Sequence, residues 1–187
     1  MEEPKITTNE IKKEIEVKKE DLEGKKEPID FFSKLVKPHN KKSRPVVETD
    51  IPRLIEDAKT MFNLCYTRCG NYNGAHAVHH SQIDDIDPLN FFVTAGQEIF
   101  INPVITRHTK TTVSSKEGCL SFYNLPEKIV ERYHKCEFSC QTLNKDNKLS
   151  EKIHLKMQGK DAKVFSHEID HANCIYIYEK ENFNKGT

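Results

Sequence analysis

The chain has no apolar run near the roughly 20 residues that a membrane-spanning helix needs, and its mean hydropathy is -0.71. The sequence therefore excludes a spanning helix. Net charge is missing too: 29 Lys and Arg balance 29 Asp and Glu, so nothing in the overall charge favours nucleic acid or an anionic membrane. No repeat at solenoid or propeller periods is present, which excludes those architectures. No apolar h-region follows Met1 and acids are frequent there, so neither a secretory signal nor a mitochondrial transit peptide is expected. Cys65, Cys69, Cys119, Cys136, Cys140 and Cys174 are accordingly expected as free thiols of a reducing compartment. No CxxC pair exists to build a structural zinc site. Cys65 and Cys69 lie one helical turn apart, a spacing that suits core packing or half of a metal pair.

What the chain has in excess is charge at its start. Asp, Glu, Lys and Arg fill 17 of the first 30 positions, and Ile11, Ile15 and Leu22 are too sparse to cover a core face. Residues 1–44 read as a charged, mobile tail, and residues 45–187 as one domain. A chain of 187 residues buries roughly two-thirds of its unfolded surface, so a metal is not needed to hold its core. Ile51, Leu54, Ile55, Ala58, Met61, Phe62 and Cys65 recur at three and four, which predicts an amphipathic helix from Asp50 to about Cys69-Gly70. The run Glu98 to Ile105 reads as an apolar strand that Pro103 makes an edge or a bend. Alternation over 129–143 and 153–157, with Asn144-Lys145-Asp146-Asn147 as turn material, predicts an antiparallel hairpin or meander. Cys136, Phe138 and Cys140 share one strand face. After Gly159, Ala162, Val164, Phe165, Ile169 and Ala172 predict a late helix. The fold class is α+β, with antiparallel strands packed around a central metal-binding helix.

That helix carries His167-Glu168-Ile169-Asp170-His171, an H-E-x-x-H string. Residues four apart lie on one helical face, so the imidazoles can converge on one cation while Glu168 serves as acid and base. Two surface histidines on a helix are the ordinary alternative. A catalytic site needs a third protein ligand and an open position. Cys174 stands where the downstream Gly of HExxHxxGxxH would be, and no His follows His171, so the third ligand is expected upstream.

Upstream lies Glu117-Gly118-Cys119-Leu120-Ser121. With E-G-C-L-S and H-E-x-D-H both complete and in order, the sequence resembles the peptide deformylases over roughly residues 45–180. The resemblance implies Cys119, His167 and His171 as ligands of one divalent metal ion, Fe2+ first, with Zn2+, Ni2+ or Co2+ as alternatives, and Glu168 as the acid/base. It implies the Leu120 N–H and the Gln82 amide as oxyanion donors, and Arg132 as the partner that braces Glu117 and Gly118. The implied substrates are N-formylmethionyl peptides or nascent chains, with a ribosome contact left open for the tail. Bacterial-type cytoplasm is the expected compartment, an organelle the alternative.

The first motif of that family, G-φ-G-φ-A-A-x-Q, is altered here. Gln82 is in place, but Ala77 stands at the second Gly and His79-His80 at the Ala pair; Ser166 replaces the Gln before H-E-x-D-H. The histidines read either as loop residues without a ligand role or as lining of the substrate cleft. Three functions therefore stay open: a formyl-removing hydrolase, a related protein with an intact metal site and another amide or acyl substrate, and a weakly active metal-stabilised binding protein.

Overall fold

The computed structural model describes residues 31–66 and 74–178; the expectations for residues 1–30, Cys69 and Gly70 fall outside them. Helix α1 (Ile51–Tyr66) buries Ile51, Leu54, Ala58, Met61, Phe62 and Cys65 along the stripe that their spacing requires. Pro52 sits in its first turn, where a missing N–H breaks no helical bond. The strands are β1 (Ala77–His79), β2 (Phe91–Thr94), β3 (Ile99–His108), β4 (Thr112–Glu117), β5 (Lys128–Tyr133), β6 (Lys135–Gln141) and β7 (Ile153–Gln158), followed by helix α2 (Gly159–Ala172). Five strands form one sheet in the order β1-β2-β3-β6-β7, and β4 pairs with β5 in a second. Every pairing between these strands is antiparallel; one isolated bridge, Arg44 with Leu89, is parallel.

Strand side chains alternate, so the larger sheet offers two faces. Val78, Phe91, Val93 and Ile101 pack with Leu54, Met61 and Leu64 of α1. Ala77, Phe92, Phe100, Cys136, Phe138 and Cys140 pack with Ala162, Phe165 and Ile169 of α2. The two helices thus clothe opposite faces. Phe165 anchors the second layer, with ring centroids 4.8, 4.5 and 5.2 Å from Phe92, Phe100 and Phe138, tilted and edge-on as aromatic rings prefer. Cys136, Phe138 and Cys140 share that buried face, and Cys65, Cys119, Cys136 and Cys140 are free thiols.

The strand pattern settles one alternative and departs from expectation at another point. Strand β3 lies inside the sheet, so Pro103 marks a bend and not an edge: a register shift between Ile101 and Val104, where Asn102 adopts φ 52, absorbs it. Strand β5 does not join the meander. It pairs instead with β4, whose residues are nowhere fully buried and so show no apolar alternation to read. Gly74 precedes β1 at φ +88, and a Cβ there would fall 2.2 Å from the Cys65 carbonyl oxygen, a close approach that only glycine permits.

The end of the segment read as tail is tied to the folded unit. Val36 N–H donates to the Gln82 carbonyl at 2.9 Å and Ser43 N–H to that of Ala172 at 2.9 Å. His39 Nε2 lies 3.0 Å from the Ser81 carbonyl, and Arg44 holds Asp50 and Asp87, each at 2.8 Å. Among the described residues no helix is long and apolar enough to cross a membrane.

Candidate metal centre

Gly159, at φ +61, turns β7 into α2 in a conformation that glycine adopts freely. Two turns on, the helix places His167 and His171 on one face, with their Nε2 atoms 3.2 Å apart. The turn after β4 brings Cys119 to them, its Sγ 3.3 Å from His171 Nε2. The three donor atoms lie within 4.8 Å of one another. Around a tetrahedral ion, nitrogens at about 2.0–2.1 Å and a thiolate at about 2.3 Å stand about 3.3–3.6 Å from each other. The two observed spacings match those edges to within a few tenths of an ångström, so the residues fit a metal ion.

The surroundings favour positive charge at that point. Burial alone would lower the His167 pKa, yet the Cys119 thiol and the Glu117 carboxylate raise it well above its ordinary value. His171 goes the other way, lowered by burial and by the charge of His167. Glu117 Oε2 accepts from His167 Nδ1 at 3.0 Å, which leaves Nε2 free to face the donors, the carboxylate–histidine arrangement that orients metal ligands. Glu117 is itself held by a bidentate pair from Arg132, Nε to Oε1 at 2.9 Å and Nη2 to Oε2 at 2.8 Å. Burial works to raise the Glu117 carboxyl, but these hydrogen bonds outweigh it and hold the pKa at about 2. The remaining Arg132 Nη1 pairs with Asp170, inside the second motif. One guanidinium therefore ties the strand that leads to Cys119 to the helix that carries both histidines. Gly118 stands between in open space, the nearest atom to an added Cβ being Glu127 Cγ at 3.9 Å.

Glu168 is 3% exposed, and its Oε2 has no hydrogen-bond partner among the described residues. Burial pushes its pKa up to about 7, against the pull of His167 and Arg132, which suits a group that must both take and give a proton near neutrality. Gln82 is buried in a single 3-10 turn, His80–Gln82, and its Nε2 donates to Ser121 Oγ at 3.1 Å. Leu120 heads another such turn, Leu120–Phe122, so its N–H is one of the orphan donors that a helix start leaves.

Within the altered first motif, residues 77–82 lie in the interior, while His76 lines a cavity. Ala77 is buried within β1, opposite Thr94. His79 and His80 are both 0% exposed, so neither is a solvated loop histidine. His79 points to the α2 side, its ring 6.4 Å from that of His171 and nearly parallel; its Nδ1 accepts the Ser81 N–H at 3.1 Å. His80 points to the α1 side, where Nδ1 accepts the Leu89 N–H and Nε2 meets Asp57 Oδ2, each at 3.0 Å. Sequence reasoning missed Asp170 and Ser121 as partners, although both stand inside motifs it had singled out.

A model of the polypeptide deformylase family matches residues 37–185, and the chain belongs to that family. Peptide deformylase of Streptococcus thermophilus is 35% identical over 88 residues, 46% of this chain and 41% of that protein. Peptide deformylase 2 of Bacillus subtilis is 37% identical over 86 residues, 43% of this chain and 44% of that protein. The chain thus aligns with less than half the length of these curated relatives. The crystal structure of peptide deformylase from Thermotoga maritima superposes with a TM-score of 0.61 at 28% identity, covering 74% of this chain and 86% of that one.

Proposed function

We propose that this chain is a peptide deformylase, a metal-dependent hydrolase that removes the formyl group from the N-terminal Met of nascent polypeptides. The observation that carries the reading is the convergence of Cys119, His167 and His171 beside a buried Glu168 whose pKa stands near neutrality. A divalent cation held by that triad supplies a Lewis acid and lowers the pKa of water bound to it; Fe2+ is the ion we assign, with Zn2+, Ni2+ or Co2+ able to occupy the same donors.

The chain's own residues do the rest. Glu168 takes a proton from the attacking water and returns it to the departing amine. The Leu120 N–H and the Gln82 Nε2–H donate to the oxygen on which negative charge develops. Glu117 and Arg132 keep His167 aimed. A cavity of about 420 Å³ opens beside Val164, three residues before His167, lined by Phe100, Met157, Val164 and Phe165 and also by His76, Glu98, Lys160 and Asp161. Ala77, His79 and His80 are buried in the core, so their departures from the family motif are read as changes of packing.

Formate release from a formyl-Met tripeptide by the ferrous protein tests the reading. Formate release from the formyl peptide without acetate release from the acetylated one supports it; a fully metallated protein that releases no formate contradicts it.

A further inference from the structure

Gln82 is held at three points. Its backbone carbonyl accepts the Val36 N–H at 2.9 Å, and its side-chain Oε1 accepts the His79 N–H at 2.9 Å. The second bond settles which end of the amide is which, because a backbone N–H can donate only to the oxygen. The nitrogen must then face away from His79, and one of its two protons goes to Ser121 Oγ at 3.1 Å. Ser121 follows Leu120 directly, so the residue that accepts this hydrogen bond belongs to the same turn as the other oxyanion donor.

We propose that Ser121 is a positioning residue: its hydroxyl pins the Gln82 amide so that the second Nε2 proton points where the Leu120 N–H points. The inference rests on Gln82 acting as an oxyanion donor. A donor contributes to catalysis when it is already in place as charge develops. An amide anchored only through Oε1 can pivot about that one bond; anchored at both ends it cannot. A carbon at the hydroxyl position would remove the acceptor and leave a buried N–H searching for another partner.

A double-mutant cycle on the metal-loaded protein with a formyl-Met tripeptide tests this. Gln82→Ala should lower kcat about 10²-fold or more, the usual loss for one such donor. Ser121→Ala should lower kcat about tenfold with KM within about twofold, Ser121→Cys should behave like it because sulfur accepts weakly, and Ser121→Thr should recover activity to within about threefold. In the Gln82→Ala background, Ser121→Ala should cost no more than about a further twofold, at unchanged metal content. Undiminished kcat in Ser121→Ala, equal losses in the Thr and Ala variants, or losses that multiply in the double variant would overturn the role of Ser121 while Gln82 keeps its own. A Gln82→Ala protein with wild-type kcat would instead remove the oxyanion reading, and Ser121's role with it.

Discussion

The roles proposed for Cys119 and Glu168 differ, and substitution separates them. Cys119 offers one of three donors, the minimum for a tightly held catalytic ion, so Cys119→Ser should lose most of the bound metal; metal analysis of the dialysed variant checks this. Glu168 is not one of the three converging donors, and Glu168→Gln should keep its metal while formate release falls by about 10²–10⁴-fold. Equal release by wild type and Glu168→Gln at equal metal content would remove the proton-transfer role. Both motifs were legible in the sequence because each compresses its chemistry into five adjacent residues, and helical spacing dictates that His167 and His171 share a face. The bond between Gln82 and Ser121 was not, since it joins residues 39 positions apart that only the fold brings together. Nor was the burial of His79 and His80: a polar pair in a Gly-rich stretch reads as loop, whereas His79 ends β1 on the α2 side and His80 opens a 3-10 turn on the α1 side.

At the scale of elements, α2 is both core and site. Its apolar stripe was readable from the three-and-four spacing, and so was that of α1. Strand β4 was not, because its burial pattern never reaches the interior, and with it the pairing of β5 was lost. Arg132 couples the small sheet to α2 through Glu117 and Asp170. Arg132→Lys cannot reproduce the bidentate pair and the third contact together. It should destabilise the protein by about 3–5 kcal/mol in urea unfolding, the range for a broken buried pair, and weaken metal affinity by releasing His167. Phe165→Ala empties the aromatic layer beneath the same helix and should cost about 3–5 kcal/mol, again with loss of metal as the ligands loosen.

The whole molecule should be acid-sensitive through His79. Burial, reinforced by the neighbouring His80, lowers its pKa to about 3, below the unfolded value near 6.5. The unfolded chain therefore binds the proton more readily, so this residue's contribution is complete above about pH 6.5 and fades as pH falls toward about 3. The urea midpoint should drop across that window, and His79→Gln should flatten that part of the slope. The N-terminal boundary is a second property of the whole chain: deletion through residue 30 spares the bonds made by Val36, His39, Ser43 and Arg44, whereas deletion through residue 44 removes them all and should lower Tm by several degrees. The central claim is that Cys119, His167 and His171 together hold one ion. Titration of the protein with Co2+, followed by the thiolate-to-cobalt charge-transfer absorption, addresses it directly. The account predicts saturation at one ion per chain and a band that vanishes in Cys119→Ser; a band that survives that substitution, or saturation without any thiolate band, would contradict it.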